Sequence, residues 1–399
     1  MNFVFISPHF PHTYWLFCDR LRRNGVNVLG IGDCPYDNLE QPLKNSLNEY
    51  YRVNSLENYG EVYEAVRYFS QKYSKIDWLE SNNEYWLEKD AQLRTDFDIN
   101  TGIKADEIER WKYKSFMHET YVKAGIPKAR QHKDTNIEDA KKFIKEIGGY
   151  PVIVKPDNGV GASHTYKLKS ETELEEFYRT KPDVQYVMEE FIEGNVCSYD
   201  AIINSKSEPL FESMSFFPPS IADIVNEGYD LAYYVAPQMN PKLKELGRKV
   251  VKAFNVKSRF VHLEFFCLTK PYKNIGKVGD FAPLEVNMRP AGGYTPDMIN
   301  FAHSTDVYQI WADMVTTDKR IMPDSNNDNY CYFVSRKNHR FRYRYSHEEI
   351  MQKYGNKIVM CECMPQIMWE AMGCQMYTAI FPTQEAAQDF IKMVHQKEV

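Results

Sequence analysis

The sequence predicts an α/β domain at its N-terminus followed by a longer α+β region, and three observations support this fold class. First, the apolar segments 2–6 and 26–31 flank a stretch with helical spacing, which is the βαβ pattern of parallel strands. Second, a β-branched run at 150–156 precedes a polar, glycine-containing turn and a strand-like segment at 165–168, which indicates a hairpin. Third, strands and helices alternate from there to about residue 320. With 399 residues, the chain is expected to hold several domains.

The predicted elements follow the chain in a regular order. Helices are expected around Trp15 to Leu21 and at 59–73, 105–124, 136–147, 171–178, 240–254, 296–316 and 383–395. Strands are expected at 2–6, 26–31, 76–80, 150–156, 165–168, 184–188, 196–203, 259–268, 281–289, 330–334 and 376–381. Turn residues separate them, such as Gly125 and Pro127 after the helix at 105–124. We expect four domains: an α/β domain at 1–104, two α+β subdomains at 105–188 and 189–330, and an α+β cap at 331–399.

The composition is that of an ordinary folded protein, with 26% charged residues, 43% hydrophobic residues and a net charge of -6. The sequence has no apolar run of 18 residues and no secretory leader pattern, so we expect no membrane association. Eight scattered cysteines without a CxxC pair favour reduced thiols and a cytoplasmic location, with Cys361 and Cys363 at alternate positions of one strand. The mildly acidic charge disfavours general nucleic-acid binding. P-loop, zinc-protease and serine-hydrolase motifs are absent from the sequence.

The segment from Leu284 to Pro290 carries the most informative pattern in the chain. Successive side chains of a strand alternate between its faces, so Glu285, Asn287 and Arg289 are expected to point the same way. Two oxygen ligands and a guanidinium would then converge on one small volume. Mg²⁺ takes a few protein oxygens together with phosphate oxygens, while arginine binds the remaining anionic charge. The alternative is a strand whose polar face meets solvent.

Other segments place charged residues in or beside apolar strands. Lys114 lies 13 positions before Pro127 of an AGIP turn, and Lys155 closes the run VIVKP, where a freely hydrated ammonium is not expected. Glu264 lies within FVHLEF, where a charge needs a partner. His262 shares its face and is expected to be a hydrogen-bonded neighbour, because imidazole is a poor ligand for Mg²⁺. In their order these segments resemble the ATP-grasp superfamily, particularly carboxylate–amine ligases such as L-amino-acid ligases, and more distantly biotin carboxylase and the large subunit of carbamoyl-phosphate synthetase.

The resemblance covers residues 105–320 and implies an ATP-grasp fold that holds the nucleotide between two antiparallel sheets. It implies an ADP-forming ligase that joins a carboxylate to an amine through an acyl phosphate, with ATP and Mg²⁺ or Mn²⁺ as cofactors. Small-molecule carboxylate and amine substrates are the expected partners, and a homodimer is the general expectation for such an enzyme. The residues it assigns are the nucleotide contacts Lys114, Lys155, Gly159, Gly161, Ser163, Glu189, Glu190, Phe191 and Ile192, the metal ligands Glu264, Glu285 and Asn287, and the catalytic Arg289.

The sequence departs from the family pattern at two positions. Val196 stands where the family often has a ribose-binding glutamate, so Asp200 or Glu193 is a candidate for that role. His164 stands where the phosphate loop usually has another glycine. These departures keep a second interpretation open, namely a nucleotide-binding protein of the same fold that does not turn over.

Two further clusters of residues have open interpretations. Alternating arginine and aromatic residues at 340–345 predict a strand with a basic and an aromatic face. A solvated edge strand, a lid over an acidic substrate and a single-stranded RNA contact are all compatible with it. His9, Phe10, His12 and Tyr14 follow the first strand, at the end of a parallel sheet where ligands bind. They are either substrate contacts or exposed loop residues.

Overall fold

The computed structural model describes residues 1–159, 164–218, 230–325 and 328–398. Gly161 and Ser163, which we predicted to contact phosphate, lie outside the described residues. Within the described ranges the strands form three sheets. One is parallel and N-terminal, and the other two are antiparallel. The predicted fold class is therefore confirmed.

The N-terminal sheet has the strand order β3-β2-β1-β4, and all of its pairs are parallel. Its strands are β1 (Asn2–Ile6), β2 (Asn27–Gly32), β3 (Glu49–Arg52) and β4 (Trp78–Glu80). Its helices are α1 (Trp15–Arg23), α2 (Gln41–Ser46), α3 (Tyr59–Tyr73) and α4 (Leu87–Asp96). Because the strands are parallel, their carboxyl ends meet at one edge, which is where α/β folds bind ligands.

The smaller antiparallel sheet has the order β5-β8-β6-β7. Its strands are β5 (Gln131–Lys133), β6 (Val152–Pro156), β7 (Tyr166–Leu168) and β8 (Tyr186–Glu190), accompanied by α5 (Glu109–Lys112), α6 (Lys114–Lys123), α7 (Ile137–Ile147) and α8 (Glu171–Thr180). The predicted hairpin is present, since Val152 of β6 pairs with Leu168 of β7. The domain boundary that we predicted between residues 188 and 189 falls inside β8.

The larger sheet has the order β13-β12-β9-β10-β11-β14-β16-β15. Its strands are β9 (Gly194–Ile203), β10 (Pro209–Phe217), β11 (Ala232–Val235), β12 (Arg259–Leu268), β13 (Phe281–Asn287), β14 (Tyr330–Arg336), β15 (Ile358–Cys363) and β16 (Gln375–Phe381). The accompanying helices are α9 (Pro241–Ala253), α10 (Thr295–His303), α11 (Val307–Thr317), α12 (His347–Tyr354), α13 (Trp369–Met372) and α14 (Gln384–His395). The strands of the predicted cap continue the sheet, because Tyr233 of β11 pairs with Phe333 of β14.

An aromatic contact and an ionic contact are among those that join the N-terminal domain to the larger sheet and its helices. Trp311 of α11 packs against Phe17 of α1, with ring centroids 5.0 Å apart. The second contact is ionic: the buried Glu80 carboxylate at the end of β4 accepts from Arg94 of α4 at 2.9 Å and from Arg259 of β12. Arg259 also donates to the carbonyl of Met288, the residue before Arg289. The buried network thus ties the N-terminal domain to the end of β13.

Three predicted elements differ in the structure, each for a local reason. The helix predicted at 105–124 is broken at Tyr113, whose extended backbone lets the Lys114 N–H donate to the Asp157 carbonyl at 2.9 Å. The helix predicted at 296–316 is broken at Ser304, which has a φ of 45°. The prediction of a strand at 340–345 is wrong. That segment is a loop held by single contacts, such as the Arg344 N–H to the carbonyl of Gln396.

The eight cysteines lie in different environments. All eight are free, and Cys361 and Cys363 occupy alternate positions of β15. Within the described ranges, none of the helices combines the length and apolar character that a bilayer crossing requires.

Candidate active site

The predicted metal ligands lie on two paired strands. Glu264 of β12 is directly opposite Glu285 of β13, and His262 is directly opposite Asn287. Directly paired residues of antiparallel strands have Cβ atoms roughly 5 Å apart on one face. The structure therefore places Glu264, Glu285 and Asn287 close together; alternation predicted this for Glu285 and Asn287, and the family resemblance implied it for Glu264.

The oxygen atoms of this cluster suit a small, hard cation. Asn287 is buried, its Nδ2 has no partner among the described residues, and its Oδ1 lies 3.5 Å from a guanidinium nitrogen of Arg289. The described residues contain no trio of His, Cys, Asp or Glu that could enclose a metal by itself. A cation at Glu264, Glu285 and Asn287 needs further oxygens from a bound phosphate, which is how Mg²⁺ usually binds. The donor set thus fits Mg²⁺ or Mn²⁺.

A buried relay orients Glu264 from behind. His262 Nε2 lies 3.2 Å from Glu264 Oε1, and His262 Nδ1 lies 2.7 Å from Asp200 Oδ1. Ser198 donates to the other Asp200 oxygen at 2.5 Å. Burial alone would lower the pKa of His262, but the two carboxylates raise it to about 9. His262 is thus a hydrogen-bonded neighbour of a predicted ligand, as expected.

Each of the two predicted phosphate lysines lies beside a carboxylate that we also assigned to the site. Lys114 Nζ lies 3.1 Å from Glu285 and donates to the carbonyl of Gly159 at 3.2 Å. Lys155 Nζ lies 2.7 Å from Glu189. Burial would lower the pKa of Lys155, but Glu189 and Glu285 outweigh it and raise that pKa above its ordinary value. Both lysine side chains are buried.

A third buried lysine was missed from the sequence. The Lys128 side chain is 3% exposed and lies 3.0 Å from the second Glu189 oxygen, to which Gln131 also donates at 2.8 Å. Burial lowers the pKa of Lys128. Burial would raise the pKa of Glu189, but the ammonium groups of Lys128 and Lys155 outweigh it and hold that pKa well below the usual range. The only sequence signal for Lys128 was its position directly after the turn at 125–127.

The predicted adenine hinge has both carboxylates engaged by cations. Glu190 accepts from Arg130 at 2.9 Å, while Glu189 binds the two lysines. Phe191 carries the Lys167 ammonium 3.8 Å above its ring centre, and Ile192 is buried.

The two ribose candidates are in different environments. Asp200 is fully buried in the relay to His262, whereas Glu193 lies on the surface, 2.6 Å from Lys270. Glu193 is therefore the accessible candidate. His164, where the family usually has glycine, has a φ of 56°, in the left-handed region that glycine adopts most easily.

The strand predicted at 281–289 ends at Asn287, so Arg289 lies two residues beyond β13 and not on the strand itself. Its Nη1 donates to the carbonyl of Pro290 at 2.7 Å, and its Nε is 4.0 Å from Glu84 of the N-terminal domain. Lys112 donates to the Glu84 carbonyl at 2.9 Å and lies 3.5 Å from its carboxylate. Burial raises the pKa of Glu84 despite both cations. The N-terminal domain therefore contributes an acidic side chain beside the predicted catalytic arginine, which the sequence did not reveal.

The residues after β1, which we considered as substrate contacts, bind other groups of the N-terminal domain. His9 and His12 lie 3.3 and 3.4 Å from Asp33 and Glu40, respectively. The buried Tyr14 hydroxyl donates to the carbonyl of Asn82 at 2.8 Å.

The family model of the ATP-grasp domain matches residues 110–260, which include the lysines and the hinge. Over nearly the whole chain, the structure is similar to L-amino acid ligase from Bacillus licheniformis, with a TM-score of 0.73 and 14% identity, covering 98% of this chain and 96% of that chain. The chain has an ATP-grasp fold. The biotin carboxylase of Campylobacter jejuni shares this fold with a TM-score of 0.69 and 15% identity, covering 98% of this chain and 90% of that chain.

The chain also matches curated proteins over shorter stretches. It is 35% identical to D-alanine–D-alanine ligase of Borreliella burgdorferi over 108 residues, which are 25% of this chain and 27% of that ligase. It is 26% identical to the carbamoyl phosphate synthase large chain of Agathobacter rectalis over 148 residues, which are 36% of this chain and 14% of that protein. The aligned part thus spans about a quarter or less of these relatives.

Proposed function

We propose that the chain is an ATP-dependent, ADP-forming ligase that joins a carboxylate, from an amino acid or a similar small acid, to an amine. The observation that carries this proposal is the pairing of Glu264 with Glu285 across two strands, with Lys114 on Glu285 and Arg289 just beyond the same strand. Phosphoryl transfer depends on positioning and on neutralising charge, so this chemistry needs no serine or cysteine nucleophile. The names of the L-amino acid ligase and the D-alanine–D-alanine ligase support the same class of reaction.

The nucleotide would lie between the two antiparallel sheets, with adenine at the hinge and the phosphates at the lysines. Lys114 and Lys155 now bind Glu285 and Glu189, and a triphosphate competes for both ammonium groups because they are compact point charges. Lys128 remains on Glu189 when Lys155 turns toward phosphate. The buried Glu189 carboxylate therefore keeps a cationic partner throughout.

Glu264, Glu285 and Asn287 would hold Mg²⁺ against the phosphates. The ion would neutralise charge that develops during phosphoryl transfer. His262 holds the Glu264 carboxylate in position, and Asp200 holds His262.

Arg289 would bind the substrate carboxylate and stabilise the oxyanion of the tetrahedral intermediate. A carboxylate oxygen attacks the γ-phosphorus, the bond to the β-phosphate oxygen breaks, and ADP leaves. The amine nitrogen then attacks the acyl carbon, phosphate leaves, and the nitrogen loses a proton to give the amide. Glu84 faces the same volume from the N-terminal domain and balances the charge of Arg289.

The test is a trapping experiment with hydroxylamine as a substitute amine. We expect the protein, ATP, Mg²⁺ and a panel of amino acids to yield hydroxamate and ADP in equal amounts. Glu285→Gln should abolish both products, whereas the matched change Glu212→Gln on β10, outside the cleft, should retain them. No hydroxamate across a broad panel at high Mg²⁺ would refute the ligase. Mg²⁺-dependent ATP binding without turnover would instead support the non-catalytic interpretation that Val196 and His164 left open.

A further inference from the structure

A thiol, an imidazole and a carboxylate meet in the C-terminal part of the chain, outside the candidate active site. Cys374 Sγ lies 2.9 Å from His339 Nδ1, and His339 Nε2 lies 3.1 Å from Glu370 Oε1. A nucleophile beside a base, with a third group that orients the base, is the arrangement that activates cysteine in enzymes.

The surroundings hold this arrangement in place. Arg340 lies 2.5 Å from the second oxygen of Glu370, and the Trp369 ring packs against His339 with centroids 5.5 Å apart. The Cys374 N–H donates to the carbonyl of Arg336 at 2.6 Å, which fixes the backbone next to the thiol. The orientation of the imidazole thus depends on an ion pair, a ring contact and an anchored backbone.

The other cysteines provide an internal comparison. Burial raises the pKa of Cys18, Cys197 and Cys331. Cys363 is exposed, but its sulfur contacts the Gln375 amide oxygen at 3.4 Å, a group that cannot take up a proton. The sulfur of Cys374, in contrast, forms its hydrogen bond with a histidine, which can take up a proton.

We propose that Cys374 is a reactive thiol that undergoes exchange with small disulfides, with His339 as the base. His339 Nδ1 takes the thiol proton, and the sulfur attacks one sulfur of the reagent. The new bond joins Cys374 to half of the reagent while the reagent's own S–S bond breaks. The other half leaves as a thiolate and receives the proton from His339. The reagent is reduced, Cys374 is oxidised to a mixed disulfide, and Glu370 steadies the imidazolium in between.

A residue close to Cys374 in the chain contacts the loop after Arg289. Met372, two residues before Cys374, packs so closely on Gly293 that a Cβ there would lie 2.9 Å from the Met372 methyl carbon. Gly293 follows Arg289 by four residues. Met372, two residues before the modified Cys374, therefore contacts the loop that follows the predicted catalytic arginine.

The experiment measures the rate of disulfide exchange at individual cysteines. The full chain is incubated at pH 7 with 2-hydroxyethyl disulfide, quenched with acid at intervals and digested, and each cysteine peptide is quantified by mass spectrometry. A base within hydrogen-bond reach takes up the thiol proton as the sulfur attacks, so Cys374 should react at least about 10-fold faster than Cys363. His339→Gln should lower the Cys374 rate to that of Cys363, and Glu370→Gln should lower it in part.

The control is His347→Gln, because His347 lies in the same part of the chain but contacts the Tyr377 hydroxyl. It should leave the Cys374 rate unchanged. Thermal unfolding of each variant shows whether the fold is intact, and a His339 variant that melts like the wild type but keeps the fast rate would overturn the role of His339. Equal rates at Cys374 and Cys363 in the wild type would overturn the proposal altogether.

Discussion

The buried ionic network at Glu80 makes a strong prediction about stability. The Glu80 side chain is 5% exposed, and one of its oxygens accepts from both Arg94 and Arg259. Glu80→Gln keeps the size of the side chain but removes its charge, so Arg94 and Arg259 lose the carboxylate that both of them pair with. We expect this single change to weaken the junction between the N-terminal domain and the larger sheet.

The magnitude follows from the burial of the partners. Removing one member of a buried ion pair typically costs about 3–5 kcal/mol because the remaining charge stays desolvated. The N–H groups of Ser81 and Asn82 now donate to the other Glu80 oxygen at 3.2 Å, and a glutamine oxygen can still accept from them. We therefore expect a loss near the lower limit, about 3 kcal/mol. The control Glu64→Gln removes an exposed pair with Arg67 and should cost less than about 0.5 kcal/mol.

Urea unfolding followed by tryptophan fluorescence measures both variants. Burial alone would raise the pKa of Glu80, but Arg259 and Arg94 outweigh it and lower that pKa. A carboxylate with a lowered folded pKa stabilises the protein above its ordinary pKa of 4.5, and this contribution is lost as the pH falls toward the lowered value. The difference between wild type and Glu80→Gln should therefore be full at pH 7 and shrink below pH 4.5. A loss under about 1 kcal/mol at pH 7, or a loss that does not change with pH, would refute the reasoning.

Three further predictions concern the candidate active site. Lys155→Met should weaken MgADP binding by roughly 10–100-fold in calorimetry, since it removes a charge-assisted hydrogen bond worth about 1.5–3 kcal/mol; unchanged affinity would remove Lys155 from the site. His262→Gln should raise the dissociation constant for Mn²⁺ with ADP by roughly 10-fold in electron paramagnetic resonance, because Glu264 loses its orienting partner; an unchanged constant would show that the relay does not matter. Arg289→Lys should lower hydroxamate formation by about 100-fold or more while leaving ADP affinity unchanged, because lysine cannot reproduce the bidentate fork; parallel losses of both would indicate a structural role.

The parts of the site that could be predicted from sequence are those set by local geometry. Glu285 and Asn287 share a face because side chains alternate along any strand. Lys155 could be placed at a strand end because an apolar run surrounds it. The position of β12 beside β13, with Glu264 opposite Glu285, followed from the resemblance and not from the residues themselves.

The parts that were missed depend on contacts between distant segments. Glu84 reaches Arg289 across 205 positions of the chain, and nothing near Glu84 in the sequence indicates this. Lys128 looks like a surface turn residue until Glu189 is placed beside it. The alternating pattern at 340–345 predicted a strand, but its residues bind distant groups instead, such as Tyr343 on Asp230. The periodicity of a sequence indicates the face of a helix or strand on which a residue lies. It does not indicate which distant residues pack against that face.

The continuity of the larger sheet limits how the protein can be shortened. A fragment ending at residue 329 would contain all the predicted metal ligands, both predicted phosphate lysines and Arg289. It could therefore be mistaken for the smallest fragment that retains the candidate active site. It would lose β14, β16 and β15, however, and leave the hydrogen-bonding groups of β11 unpaired at a new open margin. Such bare margins recruit strands from other molecules and promote aggregation. The last seventy residues thus cover the edge of the sheet that carries the candidate active site.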